Sequence, residues 1–340
     1  MKRKISIVDT TLRDGSHAVS HTFSPEQAAA VAEGLDKAGI AIIECSHGDG
    51  IAGSSLNYGF SKYNELDLHR ALIPKLKHAK PGVLLLPGIG TIEDLKKAQE
   101  LGVKVVRVAT HVTEADIGIQ HLTYAKSAGM MAVGFLMMTH MVAPEKIVEQ
   151  AKIFVDAGAD YINIADSAGN LTPDGVKARV SLLKEKLDLP IGFHAHHNLG
   201  LAIANSLAAA EGGVDYLDAT LRGLGAGAGN AQVEVLCAVL SICGYETGVD
   251  LYAIQDVAEE ILEPIMHRPQ VINTASLSLG YAGVYSSFLL HTNNAAVRFN
   301  LNPRDILMEL GRRKMVGGQE DMIVDVAYAL AKKKKEDGIA

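Results

Sequence analysis

The 340-residue chain is 48% hydrophobic and 21% charged, ordinary proportions for a globular protein with a large core and length enough for a barrel with an appendage. A net charge of -7 argues against a nucleic-acid surface, and no apolar run approaches the roughly 20 residues that a membrane span needs. Three cysteines (Cys45, Cys237 and Cys243) without Cys-x-x-Cys spacing exclude a disulfide framework and a zinc site of that kind, so a reducing, cytoplasmic setting is expected.

Lys2, Arg3 and Lys4 lead without an apolar leader into a β-branched run at residues 5–9, and no secretory signal is expected. From there the pattern alternates between a short apolar run and a helix-like stretch of about 12 to 16 residues. Further runs at 40–45, 82–86, 103–109, 131–137, 161–166, 191–196 and 216–220 bring the count to eight. Gly39, Gly102, Gly129, Gly158 and Gly213 stand just before strands, where the preceding helix needs a left-handed C-terminal residue. Ser24-Pro25-Glu26 and Thr172-Pro173-Asp174 mark helix starts.

The runs are apolar rather than alternating, as strands covered on both faces should be. Eight such units in about 240 residues predict a closed (β/α)8 TIM barrel, an α/β fold. An open doubly wound sheet would want a Gly-rich fingerprint after the first strand, where this chain reads Thr11-Leu12-Arg13-Asp14-Gly15. After Gly244 the rhythm changes to helix-like stretches at 254–266, about 282–299, 303–312 and 319–334. The expected organisation is a catalytic barrel domain over residues 1–250 and a small helical C-terminal domain over residues 251–340. The basic run at 332–335 reads as a solvated helix end, favoured by the helix dipole.

Catalytic groups of such barrels project from the C-terminal ends of the strands, and polar residues concentrate there. Arg13, Asp14 and His17 follow the first run, Glu44 and His47 the second, His111 the fourth, and Thr139 and His140 the fifth. Asp166-Ser167 ends the sixth, and the seventh carries His194-Ala195-His196-His197-Asn198. On a strand, residues two apart point the same way, so His194 and His196 can reach one ion while His197 points elsewhere. Asp14 is the natural carboxylate to join them, leaving open positions for a bidentate ligand; an N-cap or an ion pair with Arg13 would equally account for it. No lysine sits at a strand end, which counts against a Schiff-base lyase. Cys45 reads as a buried thiol rather than a nucleophile. The loop from Gly223 to Asn230 suits either an anion cradle or a close backbone approach to the metal site.

Asp9-Thr10-Thr11-Leu12-Arg13-Asp14-Gly15, the strand-seven histidines with Asn198, and the glycine-rich loop ending in Gly229-Asn230 together resemble the metal-dependent lyase and Claisen-synthase barrel superfamily. Within it the chain is most similar to the 4-hydroxy-2-oxovalerate aldolase family. Ser16-His17 follows Gly15 where the Claisen synthases usually carry Glu-Gln, and the stretch from Gly280 to Phe288 resembles that family's C-terminal segment. The resemblance spans essentially the whole chain.

The resemblance implies Asp14, His194 and His196 as ligands of a divalent ion, usually manganese, with cobalt or magnesium as alternatives. Asn230 corresponds to an additional ligand in some relatives. Arg13 would stabilise an enolate, His17 would be the catalytic base, and Ser167 and Tyr285 would line the substrate site with Arg13, Asp14 and His194. Leu84 and Leu86 are expected pocket walls. The implied reaction is retro-aldol cleavage of a 4-hydroxy-2-oxo acid to pyruvate and a short aldehyde, within aromatic-compound catabolism. The implied partner is an acylating acetaldehyde dehydrogenase, contacted through the helical domain and receiving the aldehyde by channelling. A Claisen-type synthase using acetyl-CoA on the same metal site is the alternative.

Overall fold

A computed structural model describes residues 3–336; Met1, Lys2 and residues 337–340 lie outside that range. Eight parallel strands close on themselves in sequential order: β1 (Ser6–Leu12), β2 (Ile42–Cys45), β3 (Lys80–Leu85), β4 (Val105–His111), β5 (Met131–Met137), β6 (Tyr161–Asp166), β7 (Ile191–Ala195) and β8 (Tyr216–Ala219). The ring is sealed where Ser6 through Asp9 pair with Tyr216 through Ala219. The helices between strands are α1 (Pro25–Lys37), α2 (Glu65–Leu72), α3 (Ile92–Glu100), α4 (Ile119–Ser127), α5 (Pro144–Asp156), α6 (Pro173–Lys186) and α7 (Ala202–Gly212), with α8 (Val233–Ile242) closing the eighth unit.

The local signals act as expected. Ser24 forms a reciprocal capping box with Gln27, and the five C-terminal glycines all have positive φ, from 72° at Gly129 to 112° at Gly213. Pro173 opens α6 as expected, although the Thr172 side chain makes no capping bond. Strands β5 and β6 match the expected bounds; β7 stops one residue early, so His196 lies past the strand and bridges to Asn230 instead.

Side chains fill the barrel in layers. Val8, Ile42, Val105, Val133 and Tyr161 plug the bottom. Leu84, Ala109, Phe135, Met137 and Ala165 form an apolar wall near the top. The main core lies between strands and outer helices.

Past the barrel, α9 (Leu251–Asp256) runs into a π-helical turn (Val257–Leu262) and a short 3-10 turn (Glu263–Ile265). Ile254, Val257, Ala258 and Leu262 belong to the barrel's core, with Val257 packed against Gly34 of α1. A second core is built by α10 (Thr274–Ala282), α11 (Phe288–Phe299), α12 (Pro303–Arg312) and α13 (Met322–Glu336), around Leu279, Phe288, Ile306, Leu310 and Ile323. The sequence suggested one helix across about 282–299. Instead Gly283 takes the left-handed conformation, ends α10, and frees Val284 to Ser287 to turn inward. The chain is sewn to the barrel rim there: Ser286 donates to the Ser167 carbonyl, Asn170 to Gly280 O, and His140 Nε2 to Gly283 O. This stitching brings Tyr285 to the top of the barrel.

Candidate metal centre and active site

Asp14, His194 and His196 converge, all buried, with donor atoms within 4.8 Å of one another. Asp14 Oδ2 lies 3.3 Å from His194 Nε2 and 3.5 Å from His196 Nε2, and the two Nε2 atoms are 3.4 Å apart. Asp14 is placed by the 3-10 turn that follows β1, and His194 by β7. His194 donates its Nδ1–H to Asp218 Oδ2 at 2.9 Å, which leaves the Nε2 lone pair facing the cluster. Three electron-rich atoms facing each other repel unless a cation lies between them, and donors about 2.0–2.2 Å from one ion stand roughly 3 to 3.5 Å from each other. The donor set therefore fits a divalent metal. Asn230 Oδ1, buried and without a protein partner among the described residues, is a candidate fourth donor to such an ion.

The glycine-rich loop serves this cluster. Ala226 N donates to Asp14 Oδ1 at 3.0 Å, and a Cβ at Gly225 would sit 2.1 Å from Asn230 Nδ2 and 3.2 Å from Asp14 Oδ1. Of the two readings of the loop, close backbone approach is the one the geometry supports. Asn198 anchors it, accepting from Ala228 N and donating to Ala168 O and Ser286 Oγ, so loops of three barrel units and the C-terminal segment meet at one amide.

Behind the cluster runs a closed ring of buried ion pairs that sequence reasoning missed. Arg13 donates to Asp14 at 3.0 Å and to Glu44 at 2.7 Å; Arg107 donates to Glu44 at 3.3 Å and, by a short contact, to Asp218, which holds His194. Arg107 is fully buried and stacks on Phe135, its guanidinium carbon 4.6 Å from the ring centroid. The sequence signal was present: Arg107 and Asp218 are charges inside apolar strands, at inward positions. Three carboxylates against two guanidiniums leave the ring one negative charge, which suits a divalent ion.

The electrostatics follow. Burial alone would raise the Asp14 carboxyl, but Arg13 and the imidazoles of His196 and His194 hold it well below the usual range. Burial likewise works against a charged His194, yet Asp14 and Asp218 raise it. His196, with less support, is pushed by burial down to about 4, and so presents a neutral ring.

His17 sits at the rim, its side chain 16% exposed, in a nest with His21 and His47 whose ring centroids lie 5.1 Å and 6.4 Å away. Its Nε2 is 3.9 Å from Asp49 Oδ2. Burial lowers its pKa from the ordinary 6.5, against the pull of Asp14. Ser167 is buried at the end of β6, its hydroxyl accepting from Met138 N at 3.0 Å. Tyr285, Leu86, Met137 and Met138 line a cavity of about 270 Å³ whose polar edge holds Asp49, His111 and Glu320. A second cavity of about 500 Å³ opens past His17, His21 and Gly225, and shares Asp49, Tyr58 and Glu320 with the first. Leu84 lies just beneath, in the apolar wall. Neither cavity is lined by a lysine, and Cys45 is buried with its thiol pushed up by burial.

Among the described residues no helix is long and apolar enough to cross a membrane. In fold, the chain is similar to the carboxyl transferase domain of Rhizobium etli pyruvate carboxylase solved with pyruvate and biocytin, at a TM-score of 0.85 and 17% identity, over 98% of this chain and 61% of that one. The HMGL-like family pattern matches residues 4–261, and the DmpG-like communication domain matches residues 270–332. A protein of Moorella thermoacetica named 4-hydroxy-2-oxovalerate aldolase is 67% identical over 98% of each chain. One of Carboxydothermus hydrogenoformans with the same name is 62% identical over 99% of this chain and 100% of its own. Barrel and appended helical unit are thus matched end to end, and the chain belongs to the HMGL-like family and, within it, to the 4-hydroxy-2-oxovalerate aldolases.

Proposed function

We propose that this carbon–carbon lyase cleaves 4-hydroxy-2-oxovalerate to pyruvate and acetaldehyde at the Asp14–His194–His196 cluster, with manganese as the ion. The convergence of that cluster with Arg13 at the mouth of the barrel carries the reading. A divalent ion held there would supply Lewis acidity to the 2-oxo acid and its enolate. Arg13, fixed by Glu44 and Asp14 through Nε and Nη1, has no protein partner for Nη2 among the described residues and offers it to the developing oxyanion. His17 takes the C4 hydroxyl proton as the C3–C4 bond breaks; its lowered pKa keeps it neutral, and so basic, at pH 7. Tyr285, Leu84 and Leu86 bound the aldehyde end, and Ser167 supports the wall through Met138.

A Claisen synthase is not favoured: relatives 53% to 67% identical over nearly the full length carry the aldolase name. The match to a communication domain supports an acylating acetaldehyde dehydrogenase as partner, with the aldehyde passed on by channelling in an aromatic-degradation setting in the cytoplasm. We place the partner-contacting unit after residue 266, since residues up to 265 pack into the barrel core. Pyruvate release should vanish on chelation and return best with manganese when manganese, cobalt and magnesium are restored singly. Full activity after chelation would remove the metal from the reaction. Co-expression with the dehydrogenase followed by gel filtration should give one joint species.

A further inference from the structure

The nest around His17 contains three imidazoles, and hydrogen bonds fix the protons of two of them. Asp49 N donates to His47 Nδ1 at 3.1 Å, so that nitrogen is an acceptor; the ring's proton is on Nε2, donated to Gly59 O at 3.1 Å. Ser16 Oγ gives its own proton to Arg13 O at 2.6 Å and must accept from His21 Nδ1 at 3.0 Å. His47 is thereby locked as a neutral ring, and burial holds it down to about 4; His21, stacked on it at 3.8 Å with its Nδ1 proton on Ser16, is kept neutral by burial, which pushes it to about 2. Only His17 is left able to become a cation. Its ring is also held by shape: a Cβ on Gly48 would lie 2.4 Å from His17 Nε2. Beside that atom stands the carboxylate of Asp49, 4% exposed, in the loop after β2.

We infer that Asp49 is a positioning residue of the reaction, holding His17 through Nε2–H so that Nδ1 is the atom that takes the substrate's proton. The inference rests on His17 being the base. In the step, the C4 O–H proton moves to His17 Nδ1 and the O–H electron pair becomes the C4 carbonyl π bond. The C3–C4 pair becomes the C2–C3 double bond of the pyruvate enolate. His17 becomes an imidazolium between Asp49 and solvent, and Asp49 carries the compensating charge without itself gaining a proton. The 3.9 Å separation is longer than a hydrogen bond and closes as that charge forms. Burial lifts the Asp49 carboxyl to about 7, so the form that supports the imidazolium is the carboxylate already ionised at and above that pH. The other groups facing this pair are Arg13, Asp14, Glu320, Tyr58 and Tyr285, with the two neutral rings of His21 and His47.

The test compares Asp49→Asn, Asp49→Glu, Gly48→Ala and His17→Ala in the full-length protein with saturating manganese. Asp49→Asn should lower kcat by about 10²-fold, leave KM and manganese affinity (by electron paramagnetic resonance) within about twofold, and move the acid limb of kcat/KM to lower pH. Asp49→Glu should restore part of kcat. Gly48→Ala, which keeps the carboxylate but displaces the ring, should lose kcat with manganese affinity intact, and it stands in if Asp49→Asn does not fold. An unchanged kcat in Asp49→Asn, or a joint loss of kcat and manganese affinity, overturns the inference while His17→Ala remains inactive. If His17→Ala itself keeps its activity, the base has been misassigned and the fault lies with the proposed function.

Discussion

The mouth of this barrel holds two groups of histidines in different surroundings. His194 and His196 face carboxylates, Asp14 at 3.3 Å and 3.5 Å and, for His194, Asp218 at 2.9 Å, which raise His194 while burial keeps His196 a neutral ring. His21 and His47 are stacked, with His17 edge-on to both, and the two stacked rings are tied to backbone groups and a hydroxyl, with one carboxylate 3.9 Å from His17 and 3.7 Å from His47. The first arrangement attracts a cation. The second keeps its rings neutral, so that one of them can accept a proton. The same residue type suits a ligand or a base according to which neighbours its nitrogens meet, and the proposed roles divide along that line.

Breaking the first group should have the largest effect. Asp14→Asn removes a direct donor and the negative charge, and should weaken manganese affinity by more than the roughly 10- to 100-fold typical of outer-shell partners. A titration showing intact affinity would falsify the ligand assignment. Arg13→Ala should cost about 10²- to 10³-fold in kcat, the loss of one oxyanion donor, while the protein still binds manganese. Asp218→Asn separates orientation from ligation: it leaves all three donors in place but loosens the His194 ring. Manganese affinity should fall by about 10- to 100-fold, and a value equal to the parent's would show that packing alone orients His194.

The contrast between the groups also separates what was legible in the sequence from what was not. The eight strands could be read because each is an apolar run, five of them behind a glycine-capped helix, and β5 and β6 fell where the pattern put them. The ligands could be read because His194 and His196 are two residues apart, and Asp14 follows the first strand. The ring that steadies them could not. Arg107 and Asp218 lie 111 residues apart and meet only because the sheet closes, so neither shows its partner in the sequence. Asp49 was hidden differently, in a loop where an acidic residue beside glycine reads as a turn. In the C-terminal unit, α10 went unseen although Asn273 and Ser276 form a capping box, because residues 274–282 have no clear apolar stripe. That helix and Gly283 deliver Tyr285, so a turn signal concealed how a site residue arrives.

The neutral nest also makes the smallest and most specific prediction, one of stability rather than rate. In the unfolded chain His21 and His47 take up protons near the ordinary histidine value of 6.5; in the folded chain they resist until about 2 and about 4. Across that window the unfolded state binds more protons, so stability is full above pH 6.5 and is lost as pH falls toward 4. Asp14 and Asp218, whose carboxyls are held low, add losses of the same sign, but only further down, as pH drops below the ordinary carboxylate range. Between pH 7 and 5 the nest shares the slope with His140 and His196, both also held to about 4. It is opposed by Asp9, Asp49 and Asp166, whose carboxyls burial lifts to about 7, about 7 and about 6, so only a comparison with a His47 variant isolates its part. His47→Gln keeps a neutral donor for Gly59 O but cannot titrate. Its melting temperature, measured at saturating manganese, should fall less over those two pH units than the parent's. Equal slopes in the two proteins would mean that His47 already carries its proton when folded, and the neutral pair behind His17 would have to be redrawn.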